Sequence, residues 1–177
     1  MLFNKMNKFF LLAALLFAAS ANAQVDFDEI EVEVLKVRDN IFMLVGSGGN
    51  ITVQVGDEGV LIIDTQYAQL SDKIMAKIGE LSDKSLRYII NTHHHGDHVG
   101  GNATLSAAGF TPSGGNVGGD LGDAGAGARI LAHENVLLHM AEDEAVSTDM
   151  WPTMTYFTEK KDIYFNGEGV RILHQPN

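Results

Sequence analysis

The spacing of apolar residues divides the chain into a strand-rich beginning, one clear helix and a strand that feeds a polar loop. Residues 26–33 are an acidic, exposed lead-in, and Glu31 to Val37 alternates well enough to predict a half-buried strand. Ile41 to Val45 and Ile51 to Val55 predict two more, set off by turns at Asp39-Asn40 and Ser47-Gly48-Gly49-Asn50. Val60 to Asp64 follows a turn at Gly56–Gly59 and is apolar on both faces, as expected of a strand covered on both sides. Such close spacing predicts an antiparallel meander.

The period then lengthens. Leu70, Ile74, Ile78 and Leu81 recur at helical spacing among Asp72, Lys73, Lys77 and Glu80, with Ser71 or Asp72 as the expected cap. Leu86 to Asn91 is another strand, so the order is strand, helix, strand, a βαβ pattern. Loops at the carboxyl ends of such strands are common ligand sites. Residues 109–127 hold eight glycines in nineteen positions and predict a mobile insertion. Its "GGDLGD" lacks the tandem copies that a calcium-binding glycine–aspartate repeat needs. Arg129 to Ala132 predicts a short strand, Glu134 to Val146 a helix, Trp151-Pro152 the start of a loop, and Val170 to His174 a final strand. The aromatic stretch "WPTMTYF", Trp151 to Phe157, fits either a pocket wall or the core.

The first 23 residues follow a different rule. Lys5 and Lys8 precede an unbroken apolar run of eleven residues, Phe9 to Ala19, and Ala21-Asn22-Ala23 supplies small residues for cleavage. This is the anatomy of a secretory signal peptide, and the run is too short for a comfortable membrane span. Cleavage after Ala23 is expected, leaving residues 24–177 as one domain with no stable membrane association, in a bacterial periplasm or secreted. The formal net charge of −11 argues against nucleic acid as a partner. With no cysteine, disulfides, thiolate ligands and a cysteine nucleophile are excluded within the 177 residues.

The candidate chemistry lies in "INTHHHGDHVGGN", Ile90 to Asn102. Zinc prefers imidazole nitrogen and also accepts carboxylate oxygen. In an extended loop alternate side chains point the same way, so His93 and His95 can converge on one metal. Gly96 permits a bend that lets Asp97 and His98 reach a neighbouring point, Gly100-Gly101 allows close backbone approach, and Asn102 can start a helix.

This stretch resembles the H-x-H-x-D-H signature of the metallo-β-lactamase superfamily, with Asn-Thr before it and Gly-Gly after it. "GVLIIDT", a helix and "YIINT" also follow the family's order of elements ahead of the signature. The resemblance covers about residues 30–177 outside the insertion. It implies an αββα sandwich of α/β (α+β) class, here its N-terminal half and the start of the second. It also implies two Zn²⁺ ions, the first held by His93 and His95 and the second by Asp97 and His98. Asp97 would orient the attacking water as the catalytic residue. His94 would be a bystander. Asp64 would either fix a ligand histidine or cap its strand. The implied reaction is hydrolysis of a small-molecule ester, thioester, lactone or β-lactam. His98 without any cysteine is closer to the hydroxyacylglutathione hydrolases, and to the β-lactamases with an all-His/Asp second site, than to those with a cysteine ligand. The family's third histidine for the first zinc stands in a Gly-His-Thr or Ala-His-Thr turn. His133, His139 and His174 lack that context, so the remaining ligands are expected beyond Asn177, in a longer protein. The alternatives are a zinc-binding protein without catalysis and an inert fragment.

Overall fold

The computed structural model describes residues 25–111 and 127–176. The expected signal peptide, with its cleavage point after Ala23, and most of the glycine-rich segment lie outside the described residues. Seven strands form one sheet in sequence order: β1 (Glu33–Arg38), β2 (Ile41–Val45), β3 (Ile51–Gly56), β4 (Gly59–Ile63), β5 (Leu86–Ile90), β6 (Arg129–His133) and β7 (Met154–Tyr156). The first four run antiparallel, as a meander must. From β4 onward the neighbours are parallel, because helices carry the chain back across the sheet. These helices are α1 (Ser71–Leu81), the single turn α2 (Gly96–Val99), α3 (Asn102–Ala108) and α4 (Glu134–Glu142). A separate antiparallel hairpin, β8 (Lys160–Phe165) and β9 (Glu168–Leu173), closes the described chain.

Strand alternation sorts the core into two faces. Val60, Ile62 and Ile89 point to the side covered by Ile74 and Ile78 of α1 and Leu105 of α3, all essentially inaccessible to solvent. Leu61, Ile90 and Leu131 point to the other side, where Ile163, Phe165, Val170 and Ile172 of the hairpin meet them. The layers are therefore helix, sheet, sheet. Each fully buried aliphatic side chain contributes about 1.5–3 kcal/mol by leaving water.

Several local expectations are corrected. β1 is mostly exposed rather than half-buried, because it is an edge strand paired only with β2. Neither Ser71 nor Asp72 caps α1. A 3-10 turn, Ala68–Leu70, runs straight into it, Leu70 holds the capping position, and the Ser71 hydroxyl is buried without a partner. α4 ends at Glu142 instead of continuing to Val146. There the Asp143 carboxylate accepts the Ala145 N–H at 2.9 Å and its carbonyl accepts the Val146 N–H, turning the chain. β7 and β8 stand where no strand was expected. Within the aromatic stretch, Tyr156 is core, Trp151 packs with Val136 and Met140, and Phe157 is exposed. Among the described residues, no helix is long and apolar enough to cross a membrane.

The acidic lead-in is held by one cation. The Lys73 ammonium on α1 donates to the carbonyls of Phe27, Asp28 and Ile30 at 3.1, 2.7 and 2.7 Å. Lys73→Met keeps the stem and removes the donors, and is expected to cost about 1–2 kcal/mol. Urea denaturation should show a lower midpoint, and limited proteolysis should cut faster within residues 25–31.

Candidate metal centre

The carboxyl ends of β4, β5 and β6 lie side by side, and the residues after them gather at one edge. Asp64, Thr65 and Gln66 follow β4, Thr92 to His98 follow β5, and His133 ends β6. The β2–β3 turn arrives at the same edge, because β3 is antiparallel to β4 and pairs Thr52 with Ile63.

A buried polar layer fixes the loop from beneath. Asn91 and Asn102 exchange amide hydrogen bonds at 2.9 and 3.0 Å, and Asn102 also donates to the Met150 carbonyl. The Thr65 hydroxyl lies 3.1 Å from Asn102 Oδ1 and 3.0 Å from the His98 carbonyl. A Cβ at Gly100 would stand 2.5 Å from the Gly96 carbonyl oxygen, and one at Gly101 2.6 Å from that of Thr65. The double glycine is thus a requirement of close backbone approach, as the sequence suggested. Asn102 does begin α3, but its side chain is spent on this network rather than on a cap.

Asp64 orients two of the histidines. It is 4% exposed, with a left-handed backbone at φ 64°. Its Oδ1 accepts the Thr92 N–H at 2.8 Å. Its Oδ2 accepts the Thr92 hydroxyl and His98 Nδ1, each at 2.7 Å. Because the only hydrogen of Thr92 Oγ1 goes to Asp64, His93 Nδ1, 3.0 Å away, must donate to that oxygen. The network places a ring hydrogen on Nδ1 of both imidazoles, so that in the metal-binding form of each the lone pair lies on Nε2. His98 Nε2 lies 3.5 Å from Asp97 Oδ2.

The His93 ring centroid lies 4.9 Å from that of His95 and 4.0 Å from that of His98. The His94 ring lies 6.5 Å from His93, 4.7 Å from His95 and 4.6 Å from His139 of α4. His139 is also 3.6 Å from Glu142. His174 stacks on His133 at 3.8 Å, so these two form a separate pair. Burial, then the neighbouring His98, lowers the pKa of His93; burial, then His139, lowers that of His94. Both shifts favour the neutral ring, the form that can offer a nitrogen lone pair to a metal. Among the described residues, no three or more such side chains already stand in a metal-holding group. The His93 ring lies nearer to His98 than to His95, His95 lies nearer to His94 than to His93, and Asp97 approaches His98 Nε2. Their nitrogen and oxygen donors, with tautomers set for two of them, suit zinc chemically.

Thr92 and Gln66 were not singled out from sequence. Thr92 carried a signal, a hydroxyl immediately before the histidines. Gln66, buried and left-handed after "LIIDT", carried none.

His133 adds a titratable helix cap. Its Nδ1 accepts the Asn135 N–H at 3.2 Å, which requires an unprotonated nitrogen. Burial, then His174, lowers its pKa below the ordinary 6.5, with Glu134 opposing. As pH falls the unfolded chain takes up this proton first. The contribution is therefore full above about 6.5 and declines as pH drops from there toward the lowered folded value. The melting temperature is expected to fall on acidification, and His133→Asn, whose capping oxygen does not titrate in that range, should flatten part of that fall.

Residues 44–121 match the model of the metallo-β-lactamase superfamily. No curated protein matches the chain. Among solved structures, a metallo-β-lactamase from Pontibacter korlensis superposes with a TM-score of 0.56 at 15% identity, covering 80% of this chain and 59% of that one. A subclass B3 metallo-β-lactamase of Bradyrhizobium japonicum gives 0.55 at 20% identity, covering 78% and 50%. A Cronobacter sakazakii metallo-β-lactamase described by a HARLDQ motif gives 0.53 at 21% identity, covering 77% and 50%. The chain thus spans about half the length of the solved structures it matches. Residues 44–121 are thus similar to the metallo-β-lactamase superfamily, and the chain shares the fold of about half of a metallo-β-lactamase.

Proposed function

We propose that this chain belongs to a zinc-dependent hydrolase that opens the carbonyl group of an ester, thioester, lactone or β-lactam. The observation that carries the reading is the Asp64 network, in which one buried carboxylate sets the tautomers of His93 and His98. In this reading His93 and His95 hold one zinc, and Asp97 and His98 a second. When bound, the metal supplies activation of water near neutral pH and polarisation of the carbonyl. The protein's own share is orientation. Asp64 and Thr92 aim the imidazoles, and Asp97 holds the attacking water by a hydrogen bond. The expected setting is the periplasm or the medium after cleavage behind Ala23, with a small molecule as the partner.

A second reading, zinc binding without turnover, draws support from a donor set that, among the described residues, forms no metal-ready group of three or more. Zinc content of the purified chain, with assays on a β-lactam, a lactone and a glutathione thioester, separates the two. Zinc with turnover favours the hydrolase. Zinc without turnover on any of the three favours binding alone, and no zinc uptake overturns both.

A further inference from the structure

Gln66 occupies a position that costs it a good deal. It is 1% exposed, although a glutamine carries four hydrogen-bonding positions and loses much rotamer freedom on burial. Its backbone is left-handed, φ 53°, where a residue with a Cβ is strained. Its Nε2 donates to the Gly49 carbonyl, while its Oε1 is buried with no partner. Its own carbonyl accepts the Gly101 N–H at 3.1 Å. One residue therefore joins the β2–β3 turn to the floor of the histidine loop.

What Gln66 holds lies directly on the candidate ligands. A Cβ at Gly48, whose φ is 85°, would stand 2.7 Å from Asp97 Cβ and 3.0 Å from Tyr67 Cε2. A Cβ at Gly49 would run into the His98 ring. On the opposite side a Cβ at Gly46 would stand 2.6 Å from Gln66 Oε1. Three glycines let the turn fit between Gln66 and the Asp97–His98 pair. Among the described residues, the Gln66 amide makes the only side-chain hydrogen bond to residues 46–50.

We propose that Gln66 is a positioning residue, whose amide pins the Gly46–Asn50 turn against Asp97 and His98 and so keeps that half of the site in shape. A packing role alone would need no donor, and an apolar side chain would also remove the unpartnered oxygen. The pin is independent of the metal reading; its consequence for zinc rests on that reading.

Two variants test it. Gln66→Met keeps length and apolar contact while removing the donor and the unpartnered acceptor. Gln66→Glu keeps shape and polarity and loses the donor. In the metal-free full chain, backbone NMR order parameters at Gly48, Gly49 and Asn50 are expected to fall from about 0.85 to below about 0.6, with β3 and β4 unchanged. On zinc titration, half-saturation of the weaker equivalent should rise about threefold to tenfold, roughly the worth of one neutral hydrogen bond, with the tighter one unmoved. Unchanged order parameters in Gln66→Met overturn the proposal, whatever Gln66→Glu does. If the wild-type chain takes up no zinc, the metal reading fails and the order parameters alone decide for or against the pin.

Discussion

Asp64→Asn is expected to lower folding stability by about 1–3 kcal/mol and to weaken zinc uptake about 10- to 100-fold. The carboxylate receives three donors, the Thr92 N–H, the Thr92 hydroxyl and the His98 ring N–H. An asparagine of the same shape offers one oxygen and turns two hydrogens toward that cluster, so at least one donor loses its partner. Asparagine also tolerates the left-handed backbone at φ 64°, which separates loss of charge from backbone strain. Asp64→Ala adds that strain and leaves all three donors unpaired, so it should cost more. Urea denaturation measures the first effect and zinc titration the second. A variant with unchanged stability and unchanged uptake would show that the carboxylate is not the anchor of the loop.

Most of the architecture around this anchor could be read from the order of apolar residues. Val60 to Ile63 alternates between two buried faces, and the change of period after Leu70 is a real helix behind a parallel strand. What stayed hidden depended on contacts far apart in sequence. β8 begins Lys160-Lys161-Asp162, which reads as surface, yet Ile163 and Phe165 alternate inward to cover the second face of the sheet. Its local signal was Asn166-Gly167, both left-handed, the usual two-residue hairpin turn. That turn is locked by a contact no periodicity contains: Asn166 accepts the Glu58 N–H and donates to the Gly59 carbonyl, both at 3.0 Å. The site divides in the same way. The histidines and Asp97 are adjacent in sequence and legible as a motif. Asp64 reads two ways from sequence, because only the parallel pairing of β4 with β5 brings it under Thr92. Gln66 and the Gly48-Gly49 turn were invisible as parts of the site, since their relation to Asp97 and His98 is made by the meander folding back.

Asp97→Ala is expected to reduce turnover about 10²- to 10⁴-fold while leaving the fold intact. The contrast with Asp64 comes from what each carboxylate does for the protein. Asp64 is almost fully buried and satisfies three donors, whereas the Asp97 side chain is one-third exposed and, among the described residues, its carboxylate has one close charged or hydrogen-bonding partner, His98 Nε2 at 3.5 Å. Asp97 also lies in the first turn of α2, but a four-residue helix gives an acidic residue only a few tenths of a kcal/mol there. Its removal should therefore leave the urea midpoint nearly where it was. The loss should fall on kcat, because a carboxylate that orients an attacking water contributes little to holding substrate in the ground state. The tighter zinc equivalent should persist, since His93, His95 and the Asp64–Thr92 network are untouched, and the weaker one should be lost or much reduced. Initial rates on whichever substrate the wild-type chain hydrolyses, set beside the two zinc affinities, make the measurement. Full turnover in Asp97→Ala would refute the role assigned to this residue, and a collapsed fold would show that Asp97 supports the loop in the way argued here for Asp64.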